Sequence, residues 1–173
     1  MSHTNLPVCW VVMGVSGCGK SEIGQRLATA LDLPFLEGDS FHSAANVAKM
    51  AAGIPLTDDD RAGWLHTLQE RIRQATAQGR GLVLSCSALK RRYRDLLRAG
   101  NPALRFAHLS GPRGVIAARM AARVDHYMPP SLLDSQLRDL EPLQPDEAGV
   151  QLDLNQPPQQ LVDTILENQG ARA

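Results

Sequence analysis

Aromatic residues are scarce in this sequence of 173 residues, which contains three Phe, two Trp and two Tyr. A site that recognises a nucleobase relies on stacking against aromatic rings, so this scarcity argues against a nucleobase acceptor. An excess of charge is also missing, because 18 Lys and Arg residues balance 18 Asp and Glu residues. The composition therefore predicts no binding to nucleic acid and none to an anionic membrane surface.

Cysteines are few and no apolar run is long. Cys9, Cys18 and Cys86 are odd in number and show no zinc-ligand spacing, which is typical of a reducing compartment. The apolar run at 8–13 is far shorter than the roughly 20 residues that span a bilayer, and no basic segment of a signal peptide precedes it. We expect a cytoplasmic protein without a membrane segment, folded as one domain over residues 1–173.

A phosphate-binding loop is the strongest motif in the sequence. The pattern G-x-x-x-x-G-K-[ST] is matched by Gly14, Val15, Ser16, Gly17, Cys18, Gly19, Lys20 and Ser21. An apolar strand pattern precedes it and a helical pattern follows it, as the motif requires. In such a loop the backbone N–H groups surround phosphate oxygens, Lys20 reaches the β- and γ-phosphates, and the Ser21 hydroxyl ligates Mg²⁺. The motif predicts binding of ATP with Mg²⁺.

Strand and helix patterns alternate along the chain. The predicted strands are 8–13, 35–36, 81–85, 104–109 and 150–154, and the predicted helices are 19–31, 43–52, 59–78, 89–98, 113–123 and 157–168. This alternation predicts an α/β fold of the P-loop kinase type, with a parallel five-stranded sheet and helices on both faces. Residues 124–149 include four prolines and one short helical pattern, and we expect them to form a lid.

The residues at the ends of the predicted strands favour a small kinase over other P-loop proteins. The sequence has no N-K-x-D motif of a switch GTPase, and the strand at 81–85 does not end in a magnesium-directing Asp. Asp39 follows a strand, where it can orient or deprotonate an acceptor hydroxyl, although Asp is also a common helix cap. Arg119 and Arg123 lie four apart, on one helix face, and can neutralise transferring phosphates or simply face solvent.

Further blocks of sequence resemble the gluconokinase family. In the first half these are Gly14-Val15-Ser16-Gly17, Leu36-Glu37-Gly38-Asp39 with His42, Lys49-Met50 with Gly53-Ile54-Pro55-Leu56, and Asp58-Asp59-Asp60-Arg61 with Trp64-Leu65. In the second half they are Cys86-Ser87-Ala88-Leu89-Lys90 with Tyr93-Arg94-Asp95, His126-Tyr127-Met128-Pro129, Leu132-Leu133 with Ser135-Gln136, and Leu140-Glu141. The resemblance runs in family order through nearly the whole chain.

The resemblance implies ATP-dependent phosphorylation of D-gluconate to 6-phosphogluconate by a homodimer, on a fold similar to shikimate kinase. It implies an acceptor site formed by Asp39, His42, Arg61, Lys90, His126 and Gln136. It also implies lid-side arginines at Arg119 and Arg123, and an adenine-side loop at Asn155, Gln156 and Pro157. Cys18 departs from the usual Ser or Thr of the loop, and Asp125 departs from a common Gly.

Two other functions stay open at this point. One is a kinase for another small hydroxy acid, such as shikimate, which would use the same phosphate loop. The other is a regulatory module that binds nucleotide and has no acceptor. A polar pocket with an arginine for a carboxylate and several groups for hydroxyls favours a sugar acid.

Overall fold

The computed structural model describes residues 6–122 and 129–170. Five strands lie in this part of the chain: β1 (Cys9–Met13), β2 (Phe35–Glu37), β3 (Leu82–Ser85), β4 (Arg105–Ser110) and β5 (Gly149–Asp153). Seven α-helices accompany them: α1 (Lys20–Leu31), α2 (Ala44–Ala51), α3 (Asp58–Ala77), α4 (Arg91–Arg98), α5 (Arg113–Ala122), α6 (Pro130–Asp139) and α7 (Pro158–Gly170). A 3-10 helix, Gly38–Phe41, directly follows β2.

The strands form one parallel sheet in the order β2-β3-β1-β4-β5. β1 is central, with Val11 beside Leu84 of β3 and beside Phe106 of β4. Because all five strands run the same way, their carboxyl ends meet at one edge of the sheet. In open α/β sheets that edge is where ligands bind.

Helices cover the sheet on both faces. Every residue of β1 is buried, which is typical of a parallel strand with a layer on each side. α1 packs on β1, on β3 and on α7, whereas α3 packs on α4. Leu27 of α1 and Leu68 of α3 are both fully buried in the core.

The predicted fold class is confirmed: the strand and helix order is the predicted one, and the ends differ by no more than two residues. Sequence patterns missed only the 3-10 helix at Gly38–Phe41, which is too short to show a period. Within residues 6–122 and 129–170, no helix combines the length and the apolarity needed to cross a membrane.

The predicted lid is described in part. Its short helix is α6, and residues 123–128 lie outside the described residues. After α6 the chain is bound to α4 and to the loop before it. The backbone N–H of Glu141 donates to the carbonyl of Leu89 in that loop at 2.7 Å, and Arg94 of α4 forms an ion pair with Glu147, 2.7 Å from Nε to Oε1. Both side chains of that pair are fully buried.

Candidate active site

The phosphate loop connects the central strand β1 to α1. Gly14, Gly17 and Gly19 have φ angles of 147°, 83° and 96°, in the region that favours glycine. A Cβ atom on Gly17 would lie 2.4 Å from Cγ of Met120, and one on Gly14 would lie 2.8 Å from the Leu109 carbonyl oxygen. All three positions favour glycine for backbone conformation, and at Gly14 and Gly17 a side chain would also collide with neighbouring residues.

Ser21 and Lys20 follow at the start of α1. The Ser21 hydroxyl donates to the Glu37 carboxylate, with 2.9 Å to Oε2, and Ser85 Oγ donates to the same carboxylate. Lys20 Nζ donates to the Val15 carbonyl at 3.1 Å, which folds the side chain back over the loop. Glu37 lies in the sequence block Leu36-Glu37-Gly38-Asp39 but was given no role in the site from the sequence; it is the last residue of β2, at the ligand-binding edge.

A cleft of about 860 Å³ opens over the loop. Arg119 lies in its wall, and its Nη2 donates to the Leu154 carbonyl at 2.8 Å. Gln156 lines the cleft, while Asn155 and Pro157 are exposed and do not line it. Three apolar residues beyond β5 also line it, namely Leu154, Pro158 and Leu161. Leu154 belongs to the block of sequence that resembles the adenine-side loop, whereas Pro158 and Leu161 were missed from the sequence.

A second cavity, of about 190 Å³, adjoins the first. Its polar lining includes Asp39, His42, Arg61 and Gln136, all of which the sequence had singled out. Its apolar lining was missed: Val47, Met50, Ala51, Leu56, Trp64 and Leu132. Trp64 donates its indole N–H to the Gly38 carbonyl at 2.8 Å, so the apolar wall also fixes the backbone beside Asp39.

Three residues line both cavities: Ser16, Lys20 and Asp39. The larger cleft lies over the phosphate loop, and the smaller cavity holds the polar side chains predicted for an acceptor. The junction of the two therefore brings a loop residue, a cation and a carboxylate together at one place. This arrangement suits transfer of a group from a ligand in one cavity to a ligand in the other.

His42 is held as part of the smaller cavity's wall. Its ring stacks on Trp64, with centroids 4.0 Å apart and planes 18° apart, and Nδ1 lies 3.4 Å from Asn46 Nδ2. Burial lowers the pKa of His42, an effect that the Asp39 carboxylate partly opposes and the Arg61 guanidinium reinforces. The neutral imidazole is thus favoured at pH 7, and in this form one ring nitrogen donates a hydrogen bond and the other accepts one, which suits contact with hydroxyl groups.

Lys90 and its basic neighbours on α4 are paired within the protein. Lys90 Nζ lies 3.2 Å from Asp58 Oδ1 and does not line the smaller cavity. The other basic side chains of this helix pair as Arg91–Asp146, Arg92–Asp58, Arg94–Glu147 and Arg98–Asp95. These ion pairs neutralise the cluster, and they hold Lys90, which the family resemblance had placed in the acceptor site, against Asp58.

Gln136 connects α6 to the phosphate loop. Its side-chain Oε1 accepts from the Ser16 backbone N–H at 2.8 Å, so α6 is joined to the loop where it lines the smaller cavity. Two predicted site residues, Arg123 and His126, are outside the described residues.

Comparison with known proteins agrees with this geometry. The family described as an AAA domain matches residues 9–143. A gluconokinase of Gluconobacter oxydans is 43% identical over 158 residues, which is 91% of this chain and 89% of that protein.

Two solved structures extend the comparison. The crystal structure of a gluconokinase from Sinorhizobium meliloti is 45% identical, has a TM-score of 0.86, and is matched over 96% of this chain and 94% of that one. Shikimate kinase from Aquifex aeolicus is 13% identical with a TM-score of 0.60, over 95% of this chain and 97% of that one. The second likeness shows a shared fold and nothing more.

Proposed function

The chain belongs to the gluconokinase family, and from that premise we propose how its residues carry out ATP-dependent phosphorylation of D-gluconate. The enzyme transfers the γ-phosphoryl group of ATP to a hydroxyl of gluconate, which gives 6-phospho-D-gluconate and ADP. The observation that carries the proposed site is the junction at which Ser16, Lys20 and Asp39 line both cavities. We place the triphosphate in the larger cleft and gluconate in the smaller one.

On the donor side, the loop amides and Lys20 bind the β- and γ-phosphates. Phosphoryl transfer depends mainly on positioning and on charge neutralisation, and Lys20 can leave the Val15 carbonyl to contact the phosphates. Arg119 lies across the cleft and balances charge on the transferring group, while Gln156 contacts the adenine side. Arg123 stays a prediction for the same charge-balancing role.

The oxygen donors near Ser21 fit Mg²⁺. Mg²⁺ prefers hard oxygen ligands and keeps several waters, and here a hydroxyl lies directly beside the Glu37 carboxylate. We propose that Ser21 would ligate the ion and that Glu37 would orient the Ser21 hydroxyl. When bound, Mg²⁺ would supply charge neutralisation to the phosphates.

On the acceptor side, Asp39 accepts the hydrogen bond of the attacking hydroxyl and so orients it toward the γ-phosphorus. Arg61 binds the substrate carboxylate, and His42 and Gln136 contact hydroxyls along the chain. His126 is proposed for the same side. Because Lys90 is already bound to Asp58, we propose that it acts on the acceptor site indirectly, through Asp58.

We also propose a homodimer in the cytoplasm, with residues 1–173 forming one domain. The family resemblance supports the dimer, and three unpaired cysteines support a reducing compartment. Sedimentation velocity would give twice the chain mass for the dimer, and a species of 18.8 kDa would exclude it.

The test of the function is an ADP-release assay with Mg²⁺ and ATP over a panel of acceptors: D-gluconate, shikimate and D-glucitol. We expect ADP release with gluconate only, and a product mass that equals phosphogluconate. Lys20→Ala serves as the inactive control, because it removes the phosphate-binding cation. Turnover of shikimate without turnover of gluconate would assign the chain to another acid, and ATP binding without turnover would indicate a regulatory module.

A further inference from the structure

We propose that Tyr93 and Asp139 are positioning residues for Arg61, and that they select a carboxylate on the acceptor. They hold one nitrogen of the guanidinium so that its opposite edge meets the substrate. The inference rests on the proposed function, in which the smaller cavity receives gluconate. Neither Tyr93 nor Asp139 lines that cavity, whereas Arg61 does.

The two residues bind the same nitrogen. Arg61 Nη1 lies 2.9 Å from the Tyr93 hydroxyl oxygen and 3.3 Å from Asp139 Oδ2. An Nη atom carries two hydrogens, so these two acceptors use both of them. Because two hydrogen bonds hold one nitrogen, the guanidinium group cannot change its orientation without breaking one of them.

The direction of the Tyr93 hydrogen bond is fixed by a third residue. The Tyr93 hydroxyl has one hydrogen and donates it to Asp58, so toward Arg61 the oxygen acts as acceptor. Asp58 is in turn held by Lys90 and Arg92. Lys90 thus acts indirectly. It holds the Asp58 carboxylate, which orients the Tyr93 hydroxyl, and that hydroxyl binds Arg61.

The remaining edge of Arg61 is open to the cavity. Within residues 6–122 and 129–170, neither Nε nor Nη2 of Arg61 forms a hydrogen bond with the protein. Neither atom is fully buried, so both are accessible to a ligand. Three N–H groups therefore have no protein acceptor, and two of them, Nε–H and one of Nη2, point the same way along one edge. An Nε–Nη2 edge is the geometry that binds a carboxylate through two parallel hydrogen bonds.

The charge balance of Arg61 also leaves room for a second carboxylate. Arg61 is only 7% exposed, and a buried cation requires a counter-charge. Among the described residues, Asp139 is its only ion-pair partner, through a single contact and from a side chain that is 30% exposed. Asp58 forms no ion pair with Arg61, because the neutral Tyr93 hydroxyl lies between them. A carboxylate in the cavity completes the pairing, which a neutral polyol cannot do.

The test uses the full-length enzyme and two variants that each remove one acceptor, Tyr93→Phe and Asp139→Ala. For each, we expect KM for gluconate to rise about 10-fold, the size of one charge-assisted hydrogen bond. We expect kcat and KM for ATP to stay within twofold. Inhibition by D-glucitol, which has the hydroxyl chain without the carboxylate, should keep its wild-type constant in both variants.

Two further variants separate positioning from general effects. Asp139→Asn keeps an acceptor oxygen and should recover most of the affinity that Asp139→Ala loses. Asp134→Ala, on the same helix and paired with Arg113, removes the same charge away from both cavities and should leave KM unchanged.

The outcomes are distinguishable. An unchanged KM in Tyr93→Phe overturns the inference, as does an equal loss of affinity for gluconate and glucitol. Tyr93→Phe keeps the buried ring and gives this answer even if Asp139→Ala fails to fold. If the wild-type enzyme forms no phosphogluconate, the proposed function fails instead.

Discussion

Asp39 lies in the turn of 3-10 helix that follows β2, where its carboxylate lines both cavities. Its backbone is held by two contacts of its neighbour Gly38: the Gly38 carbonyl accepts from Trp64, and its N–H donates to Ser85 Oγ. The carboxylate is thus placed by packing from α3 and β3. This placement agrees with a role in orienting the acceptor.

We expect Asp39→Asn to lower kcat at least 100-fold, because loss of a positioned acid-base group costs about 10²–10⁴ in rate. KM for ATP should change little, since Lys20 and the loop amides remain. Steady-state kinetics with gluconate measure both values. Asp163→Asn, an exposed position on α7, is the matched control, and an Asp39→Asn enzyme as active as that control would show that Asp39 is structural.

His108 is a second residue with a measurable consequence, this time for stability. It is 2% exposed on β4 and its Nδ1 has no hydrogen-bond partner among the described residues. Burial, reinforced by the positive charge of Arg94, lowers the pKa of His108 to about 4. The unfolded chain therefore binds this proton below pH 6.5, while the folded protein resists it until about pH 4.

Stability should consequently fall as pH decreases from 6.5 toward 4, with about 2 kcal/mol lost to His108 at pH 5. His108→Gln removes the titration while keeping a polar side chain. The free energy of unfolding in urea, measured at pH 7.5 and pH 5, should fall by about 2 kcal/mol more in the wild type than in the variant. His42 shifts in the same direction and cancels in this comparison; equal losses would contradict the assignment.

At the scale of elements, the segment after α6 is bound to α4 by a buried ion pair. Arg94 donates to both oxygens of Glu147, at 2.7 and 3.0 Å, and to the carbonyls of Ala88 and Pro142. Since Ala88 belongs to the loop that carries Ser87 into the smaller cavity, the pair also fixes one wall of the acceptor site. Residues 141–147 are therefore anchored, and any lid movement would have to involve residues that precede them in the sequence.

Glu147→Gln should destabilise the protein by about 3 kcal/mol, because it leaves Arg94 buried without its counter-charge. The neighbouring Asp146→Asn is the control: Asp146 pairs with Arg91 at the surface, where ion pairs contribute little. Urea unfolding at pH 7 compares the two. Equal stability of both variants would show that the buried pair does not hold this segment.

At the scale of the whole molecule, the two cavities meet only because the sheet brings distant segments to one edge. The phosphate loop follows β1, Glu37 ends β2 and Asp39 follows it, Ser87 follows β3, and Leu154 follows β5. Helix α6 then crosses this edge, with Gln136 on the loop and Asp139 on Arg61. A ligand in the larger cleft therefore contacts segments at the carboxyl ends of β1, β2 and β5 at once and should stabilise the entire fold.

We expect a non-hydrolysable ATP analogue with Mg²⁺, at 100 times its Kd, to raise Tm by roughly 5–10 °C, which corresponds to about 2.7 kcal/mol of binding linkage. Differential scanning fluorimetry measures the shift. Lys20→Ala should lose most of it, whereas Arg80→Ala, a charge removal at an exposed position, should keep it. A shift that survives Lys20→Ala would argue against nucleotide binding over the loop.

The sequence by itself determined the fold class and the phosphate loop, since both depend on local patterns: the apolar runs of buried strands and the glycines with lysine and serine at fixed spacing. It also singled out Asp39, Arg61 and Gln136, which the structure brings to one cavity. The tertiary structure alone decided which side chains share partners. It bound Lys90 to Asp58, placed Glu37 beside Ser21, and set Tyr93 and Asp139 behind Arg61. Such pairings join residues from 16 to 78 positions apart, and no local period records them.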